Sequence, residues 1–445
     1  MEDDPAIDIA YIVNGFPGRS ETFIANEIQL LEAMGLSLRI YSINPEQDLM
    51  GHGVVHAIRA PVTSVPSAGT SGRSFVSWFK RKVAMLGAQA RLLVRRPRKY
   101  LRMLAHLIAM AWKYRNGALP GTFFIKEFAQ ATEIAAQVLD LATVRHLHAH
   151  HCDGTATVAW FVSLLTGLPF SFTAHGKDIH ECKLNRVELL RRKILGAQFV
   201  ATCSAGDLRG LSEICPEYQG LHTVYPGLDV GYFAPQPVPI ENRPPVILSV
   251  GRFIEKKGFE YLIAACAQLK AAGVNFCCWL VGPADDHSDR IERTIETLGV
   301  SDVVSTNGAV TQDQLRQLYR RASVFVLPCL QMDDGECEGI PSVLAEAMAM
   351  GIPVVSTDIA GVSELINNGK NGLLVPQRDS QALARVIQAL LGSPELSWRL
   401  AQDGRRTVCH NFDSRRTKLQ LRDLLTAVAH EDPHPEAMPD PHPLP

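Results

Sequence analysis

Two glutamates with seven residues between them stand in the part of the sequence that is richest in possible chemistry. Glu338 precedes Pro341, which is typical of a first helical position, and Gly351 is typical of the position after a helix ends. The pattern predicts a helix over 341–350, with Glu338 in the preceding loop and Glu346 inside it. Backbone amides at a helix N-terminus can donate hydrogen bonds to phosphate or sugar oxygens. A carboxylate on an otherwise apolar helix is costly unless it accepts hydrogen bonds from donor groups. The alternative is two ordinary surface acids.

Two basic side chains follow a predicted buried strand. Val246–Val250 is an apolar run, and Arg252 and Lys257 lie in the segment that leads from it into the next predicted helix. Ligands bind at the carboxyl ends of parallel strands. Because a guanidinium offers a fork of donors and an ammonium a compact charge, the two can hold a diphosphate. The alternative is an ordinary charged surface loop.

Histidines form a second group of candidates. His175 follows an apolar run at a predicted strand end, where its imidazole either binds a substrate hydroxyl or has a structural role in the loop. His146, His148 and His150 alternate with apolar residues and so share one face of a strand, which is one arrangement of metal ligands. The sequence nearby offers no evident fourth ligand or supporting shell, so no metal site is predicted.

The elements that must position these residues alternate between strands and helices. A strand is predicted over 7–13, followed by a turn-rich loop around Gly15 and a helix. Further strands are predicted over 246–250, 276–281, 324–327, 353–356 and 372–375. This alternation indicates an α/β protein with parallel sheets covered on both faces.

A proline-rich stretch divides the chain into two predicted domains. The boundary lies in 235–245, so the expected domains are 1–238 and 239–429, and the proline-rich segment 430–445 is expected to be disordered. The acidic start lacks the pattern of an export signal, and the longest apolar run, 103–112, is too short to span a bilayer. We therefore expect a cytoplasmic protein.

Composition excludes several functional classes. The 445 residues include 44 basic and 46 acidic side chains, for a net charge of −2, so the whole molecule has no electrostatic signature for nucleic acid. No phosphate-binding loop or dinucleotide fingerprint occurs, and the hydrolase signature G-x-S-x-G is missing from the sequence. The ten cysteines form no C-x-x-C pair, which indicates reduced thiols.

One segment departs from this balanced composition. Residues 49–126 contain fourteen basic and no acidic side chains, and apolar residues recur among them at helical spacing. The pattern predicts basic amphipathic helices over about 73–116. They can dock on an anionic membrane surface, to which each basic residue contributes about 1 kcal/mol. The alternative is a solvated outer face of helices that pack on the core.

Several motifs occur together in a characteristic order. They are Gly251-Arg252 with Lys257-Gly258, the Asn307-Gly308-Ala309-Val310 turn, Glu338 with Glu346, Gly351-x-Pro353-Val354-Val355-Ser356-Thr357 and Gly361-x-x-Glu364. This set resembles retaining glycosyltransferase family 4 over roughly residues 5–410. The first half, with Phe16-Pro17-x-x-Ser20-Glu21-Thr22-Phe23-Ile24 and His175-x-x-Asp178, resembles the branch that builds exopolysaccharide and colanic-acid-type repeat units.

The resemblance implies a GT-B fold, in which two Rossmann-like domains face each other across a cleft that binds a UDP- or GDP-sugar. It assigns the diphosphate to Arg252 and Lys257, the ribose to Glu346, the donor sugar to Glu338 and the amides of Gly339 and Ile340, and the base to the backbone at Val310. His175 would contact the sugar near its reacting carbon, and the Gly15 loop would close over phosphate and acceptor. Neither a metal nor another cofactor is implied.

The implied activity is transfer of a hexosyl group, with front-face retention, to a saccharide or lipid-linked oligosaccharide, on the inner face of the plasma membrane. Ile340-Pro341 departs from the Phe-Gly of many members. Two alternatives remain open: a sugar-nucleotide epimerase of the same fold, and a non-catalytic scaffold in a polysaccharide-assembly complex.

Overall fold

The computed structural model describes residues 8–16, 22–44, 57–65, 86–114, 123–141, 143–180, 186–235, 244–333 and 338–430. The chain divides into two compact units. The N-terminal unit contains the residues up to Val224 and those from Lys418 onward, and the C-terminal unit runs from Tyr225 to Thr417. Each unit contains one parallel sheet with helices packed on it, as the alternation of strands and helices predicts.

The strands of the N-terminal unit form a seven-stranded sheet within the described residues. They are β1 (Asp8–Val13), β2 (Ser37–Ser42), β3 (Val62–Ser64), β4 (Val144–His150), β5 (Phe170–Ala174), β6 (Val200–Thr202) and β7 (Leu221–Thr223). Their order in the sheet is β3-β2-β1-β4-β5-β6-β7, and every residue of β1 and β5 is buried. Burial of both strand faces is expected when helices cover both sides of a parallel sheet.

Helices connect these strands and cover the sheet. They are α1 (Thr22–Ala33), α2 (86–95), α3 (Pro97–Lys113), α4 (Phe123–Asp140), α5 (Gly154–Thr166), α6 (Gly176–His180), α7 (Val187–Gly196) and α8 (Ala205–Ile214). The helix α5 is apolar and almost wholly buried, whereas α3 is amphipathic. Of the basic helices predicted over about 73–116, residues 86–114 fall within the described residues and are largely helical.

The C-terminal unit has a six-stranded parallel sheet among its described residues. Its strands are β8 (Val246–Val250), β9 (Cys277–Val281), β10 (Val304–Asn307), β11 (Val324–Leu327), β12 (Val354–Thr357) and β13 (Leu373–Val375). They lie in the order β10-β9-β8-β11-β12-β13. The strands predicted over 246–250 and 324–327 are confirmed without change, and the other three predicted strands of this unit are confirmed with ends shifted by one residue at most.

The remaining helices are α9 (Phe259–Ala271), α10 (Ser288–Thr297), α11 (Gln312–Arg321), α12 (Ser342–Ala349), α13 (Ala360–Leu365), α14 (Ser380–Gly392), α15 (Pro394–Asn411) and α16 (Ser414–His430). A short 3-10 helix, Glu255–Lys257, precedes α9. No helix within the described ranges combines the length and the apolar composition needed to cross a membrane.

The last helix returns the chain to the N-terminal unit. In α16, Leu421 and Leu425 are buried in the same apolar cluster as Ile24 and Ile28 of α1. This burial explains why the C-terminal end of the chain joins the N-terminal unit, whereas the sequence predicts one change of domain, at the proline-rich stretch. Residues 236–243 of that stretch lie outside the described residues, as do 431–445, on which the predicted disordered tail falls.

Gly258 connects the 3-10 helix to α9 in a left-handed conformation, with a φ of 67°. A Cβ atom at this position would lie 2.0 Å from the carbonyl oxygen of Pro328, which is backbone and cannot turn away. The residue must therefore be glycine for both conformational and steric reasons. Its conformation fixes the segment that carries Lys257.

We expect Gly258→Ala to lower the free energy of unfolding by more than about 2 kcal/mol, because the left-handed penalty adds to the clash. Gly273→Ala is the matched control. Its φ is 74° but no atom lies within 4 Å of a Cβ there, so it should cost only about 1 kcal/mol. Urea denaturation of the two variants measures the difference, and equal losses would contradict the steric argument.

Candidate active site

The predicted diphosphate-binding side chains follow the carboxyl end of β8. Arg252 is exposed, and its guanidinium lies 3.6 Å from the carboxylate of Asp285. Lys257, at the end of the 3-10 helix, has a side chain that is only 12% exposed. Val310 lies in the loop after β10 and packs against an apolar cluster of the unit. Because the sheet is parallel, these loops emerge at the same edge of it.

Glu338 brings two lysines together at this edge. Its carboxylate lies 3.0 Å from the Lys257 ammonium and 3.3 Å from that of Lys256. Burial by itself would raise the pKa of Glu338, but the two ammonium groups outweigh burial and hold the pKa below its ordinary value. The structure thus joins two predicted site residues directly and adds Lys256, which the sequence analysis does not single out.

The loop of Glu338 lies close to the start of α13. A Cβ atom at Gly361 would lie 2.3 Å from the carbonyl oxygen of Gly339 and 2.7 Å from that of Glu338, so a side chain there would displace the loop. Gly339 is exposed and Ile340 half-buried. The helix α12 is predicted over 341–350 and observed from Ser342 to Ala349. Its start differs because the φ and ψ of the preceding proline are extended rather than helical.

Glu346 lies inside α12, as predicted, and its environment differs from that of Glu338. The hydroxyl of Tyr319 in α11 donates a hydrogen bond of 2.9 Å to its Oε2 atom. Burial raises the pKa of Glu346 to about 7, because this one neutral donor compensates little of the lost hydration. A carboxylate in such a site gains from further donors, and a pair of ligand hydroxyls can supply them.

The other two predicted site residues lie at the carboxyl edge of the N-terminal sheet. Gly15 is in the loop after β1, where the neighbouring Phe16 amide donates a hydrogen bond of 3.0 Å to the Ser42 hydroxyl. His175 follows β5 and is half-buried, with its Nδ1 atom 3.3 Å from the Cys203 sulfur. Burial, reinforced by neighbouring histidines, holds the pKa of His175 well below its ordinary value. Its ring is therefore neutral at neutral pH.

The three histidines of β4 have protein partners. His146 and His148 both lie within 2.8 Å of the Ser171 hydroxyl, and burial lowers the pKa of His146 to about 3. His150 Nε2 lies 2.6 Å from Glu27. Glu27, His148 and His150 are close enough to share a metal ion, but the Lys418 ammonium lies 2.6 Å from Glu27 and already supplies the balancing cation.

Sequence reasoning misses Glu27 and Lys418. Glu27 lies four residues after Phe23, on the apolar face of α1, and an acid on such a face is a signal that could have been noticed. For Lys418 the sequence offers no comparable signal, since it lies in a helix rich in basic residues.

Comparison with known proteins shows which families and proteins this chain resembles. Residues 233–407 match the family described as glycosyl transferases group 1. The chain is 39% identical over 204 residues to the putative colanic acid biosynthesis glycosyltransferase WcaL of Escherichia coli K12, an alignment that covers 45% of this chain and 50% of that protein. It is 28% identical over 438 residues to WcaL of Salmonella typhimurium, covering 94% of this chain and 100% of the relative. Residues 233–407 of the C-terminal unit are therefore similar to the glycosyl transferases of group 1.

Solved structures show the fold of this chain. Anabaena HepE, in complex with UDP and glucose, superposes with a TM-score of 0.66 at 17% identity, covering 95% of this chain and 100% of that one. Sucrose-phosphate synthase from Thermosynechococcus elongatus has a TM-score of 0.65 at 20% identity, covering 95% and 99%. These likenesses and the two parallel sheets confirm the expected GT-B fold.

We expect the affinity of this protein for nucleotide sugars to fall as the pH drops below about 7, because protonation removes the charge with which Glu346 would accept two hydroxyl donors. Below that pH the dissociation constant should rise about tenfold per unit. Isothermal titration of a UDP- or GDP-sugar between pH 6 and 8 measures it. The Glu346→Gln variant should bind the nucleotide sugar more weakly, and its dissociation constant should not change with pH in this way. An unchanged pH dependence in the variant would assign the titration to another group.

Proposed function

We propose that this protein is a glycosyltransferase that moves a hexosyl group from a UDP- or GDP-sugar to a saccharide acceptor, with retention of configuration, in the synthesis of an exopolysaccharide or another cell-surface polysaccharide. The observation that carries the proposal is the ion pair of Lys257 with Glu338, beside Arg252 at the carboxyl edge of the sheet. Support comes from relatives named for colanic acid and amylovoran biosynthesis, the latter 39% identical over 149 residues, and from a structural neighbour that binds UDP and glucose.

In the proposed complex, Arg252 and Lys257 bind the diphosphate and stabilise its charge as the nucleotide departs, without a metal. A diphosphate offers Lys257 a second anion, which releases one Glu338 oxygen for a hydroxyl of the donor sugar. The other proposed contacts are the Gly339 and Ile340 amides to the sugar, Glu346 to the ribose, the Val310 backbone to the base, His175 to the sugar near its reacting carbon, and the Gly15 loop to phosphate and acceptor.

Retention by double displacement needs a free carboxylate as nucleophile. Two ammonium groups lie against Glu338, which weakens it as a nucleophile, and Glu346 is half-buried with a hydrogen bond from Tyr319. Both carboxylates therefore suit binding better than attack. These contacts favour front-face transfer, in which the acceptor approaches from the side that the nucleotide leaves.

Arg252→Ala and Lys257→Ala should each weaken binding of a UDP- or GDP-sugar by about 1.5–3 kcal/mol, the range for hydrogen bonds to charged groups. Isothermal titration gives the affinity. Lys270→Ala is the matched control, since this lysine pairs with Asp302 at the far end of α9 and should leave binding unchanged.

The reaction itself distinguishes the proposal from its alternatives. With a donor identified by binding, a new glycosidic bond on a saccharide acceptor supports transfer, and an altered sugar on the recovered nucleotide would show an epimerase. A protein that binds nucleotide sugars but neither transfers nor hydrolyses them would be the non-catalytic scaffold.

We further propose that the acceptor is lipid-linked and that the enzyme docks on the inner face of the plasma membrane through α2 and α3. Val94 is 81% exposed, Leu101 57% and Ile108 64%, although all three are large and apolar. Leu101 and Ile108, seven residues apart, lie on one face of α3. Arg98 and Arg102 lie beside them in the sequence, so the surface combines apolar and positive groups, as an anionic bilayer requires.

Part of the positive charge of this segment is neutralised by acids from elsewhere in the fold. Asp140 of α4 pairs with Arg91 and Arg95, and Glu188 of α7 pairs with Lys113 at 2.6 Å. The acid-free stretch of sequence is therefore less positive in three dimensions than its composition indicates. Apolar insertion consequently carries more of the proposed docking than charge does.

Replacing Val94, Leu101 and Ile108 together by serine should lower the affinity for phosphatidylglycerol vesicles at least about tenfold, because burying each side chain contributes about 1.5–3 kcal/mol. Cosedimentation at low ionic strength measures it. Trp398→Ser, which removes an aromatic side chain 67% exposed in the C-terminal unit, is the control and should bind like the unaltered protein. If the unaltered protein ignores these vesicles, the helices form an ordinary solvated face.

A further inference from the structure

A buried carboxylate organises the surroundings of His175. The Glu27 side chain is 4% exposed, and its Oε2 atom accepts a hydrogen bond of 2.6 Å from the Lys418 ammonium. Its Oε1 atom contacts His150 Nε2 at 2.6 Å and accepts a short hydrogen bond from the Tyr11 hydroxyl. Burial opposes ionisation, but the charge of Lys418 and the hydrogen bond from His150 outweigh it and hold the pKa of Glu27 well below its ordinary value. Glu27 is therefore an ionised acceptor.

This acceptor fixes where the protons of the two nearest histidines lie. An ionised carboxylate only accepts, so His150 Nε2 must carry a hydrogen. With that hydrogen on Nε2, an imidazole that carries a single hydrogen has Nδ1 as its acceptor. That Nδ1 atom lies 3.4 Å from His175 Nε2, which is therefore the donor of this contact.

The contact of the other ring nitrogen of His175 is compatible with the same tautomer. Its Nδ1 atom lies 3.3 Å from the Cys203 sulfur, and burial raises the pKa of that thiol to about 12. The thiol is thus protonated and has a hydrogen that it can donate to Nδ1. Both contacts fit a neutral His175 ring that carries its hydrogen on Nε2.

We propose that Glu27 and His150 are positioning residues that hold the His175 imidazole neutral, with Nε2 as a hydrogen-bond donor, and that Lys418 supplies the charge which keeps Glu27 an acceptor. The proposal rests on the proposed function, which places His175 against the donor sugar. The contact of 3.4 Å to His150 is long, so the Nε2 hydrogen can turn to a sugar oxygen when a donor binds.

The neutral state has a chemical advantage at this position. As the nucleotide departs, the sugar acquires oxocarbenium-like positive charge. A protonated imidazole beside that carbon would repel the charge, whereas a neutral N–H group binds a hydroxyl without adding to it. His175 therefore acts toward the sugar as a donor that moves no proton.

The remaining charged groups near His175 are consistent with this state. The His151 ring centroid lies 4.6 Å from that of His175, and His151 Nδ1 pairs with Asp178 at 2.8 Å. The uncharged Phe23 ring lies 5.2 Å from it, centroid to centroid. Repulsion from His151 and burial both disfavour a charged His175, and Asp178 lies nearer to His151.

Two substitutions of His150 separate the contacts of its two nitrogens. Asn places an amide oxygen near the position of Nδ1 and keeps the acceptor for His175, whereas Gln reaches Glu27 and loses that acceptor. We expect His150→Gln to lower kcat about tenfold, the value of one hydrogen bond, with KM little changed, and His150→Asn to retain most of kcat. His410→Gln, an exposed histidine of the C-terminal unit, is the control. Equal kcat values in the Gln and Asn variants would overturn the proposal.

Substitutions at Glu27 separate positioning from folding. Glu27→Gln leaves the Lys418 ammonium buried without its anion and is expected to destabilise the protein. The double variant Glu27→Gln with Lys418→Met removes both charges and should recover the melting temperature. We expect kcat to stay about tenfold low in this double variant, because His150 is no longer held in one tautomer. Recovery of kcat together with stability would show that the network is only structural.

A spectroscopic measurement tests the tautomer independently of activity. In protein labelled with 15N-histidine, the His175 signals, assigned by their loss in His175→Gln, should show a neutral ring protonated at Nε2 from pH 6 to 8. In the double variant the ring nitrogens should shift toward an average of both tautomers. A His175 signal that titrates near pH 6.5 would overturn the proposal. If the tautomer is fixed as expected but no sugar is transferred, the proposed function fails and this inference about the ring stands.

Discussion

Parallel alignment of the strands is the constraint on which the rest of the molecule depends. In each sheet every loop that follows a strand emerges at the same edge, so residues distant in the sequence become neighbours. Arg252 and Lys257 follow β8, Glu338 lies beyond β11 and Gly361 beyond β12, yet Lys257 touches Glu338 and Gly361 accommodates its loop. The same geometry brings the loops after β1 and β5 to one edge of the other sheet.

Two carboxylates at the carboxyl edges of the sheets, Glu338 and Glu27, are balanced by lysines of the protein itself. Removing a carboxylate from water is costly, and a nearby ammonium group reduces that cost. Glu338 has two lysines, Glu27 has Lys418, and both ion pairs join segments that are far apart in the sequence. A ligand that reaches the first of these pairs therefore exchanges one anion for another instead of meeting an uncompensated cation.

Glu338 and Glu346 show how environment assigns different chemistry to one residue type. Two ammonium groups hold the pKa of Glu338 below its ordinary value, whereas burial with a single neutral donor raises that of Glu346 to about 7. Glu338 is therefore suited to remain ionised while its lysine partners turn to another anion. Glu346 is ready to accept hydroxyl groups. The spacing of the two along the chain gives no indication of this difference, which arises from what α12 packs against.

The sequence by itself determined the strands and the order of the motifs. It also placed Glu338 before a helix and Glu346 within that helix. These features could be predicted because periodicity and turn residues are local properties of the sequence. It could not determine which charges meet. Lys418 and Glu27 are separated by 391 positions, and acids outside the basic segment neutralise part of it. The unit to which α16 belongs was also decided only in three dimensions, since its apolar face fits residues of α1. Such pairings follow from the packing of whole helices and strands against one another. Packing depends on the fit between the surfaces of two elements, and the sequence of one element does not specify that fit.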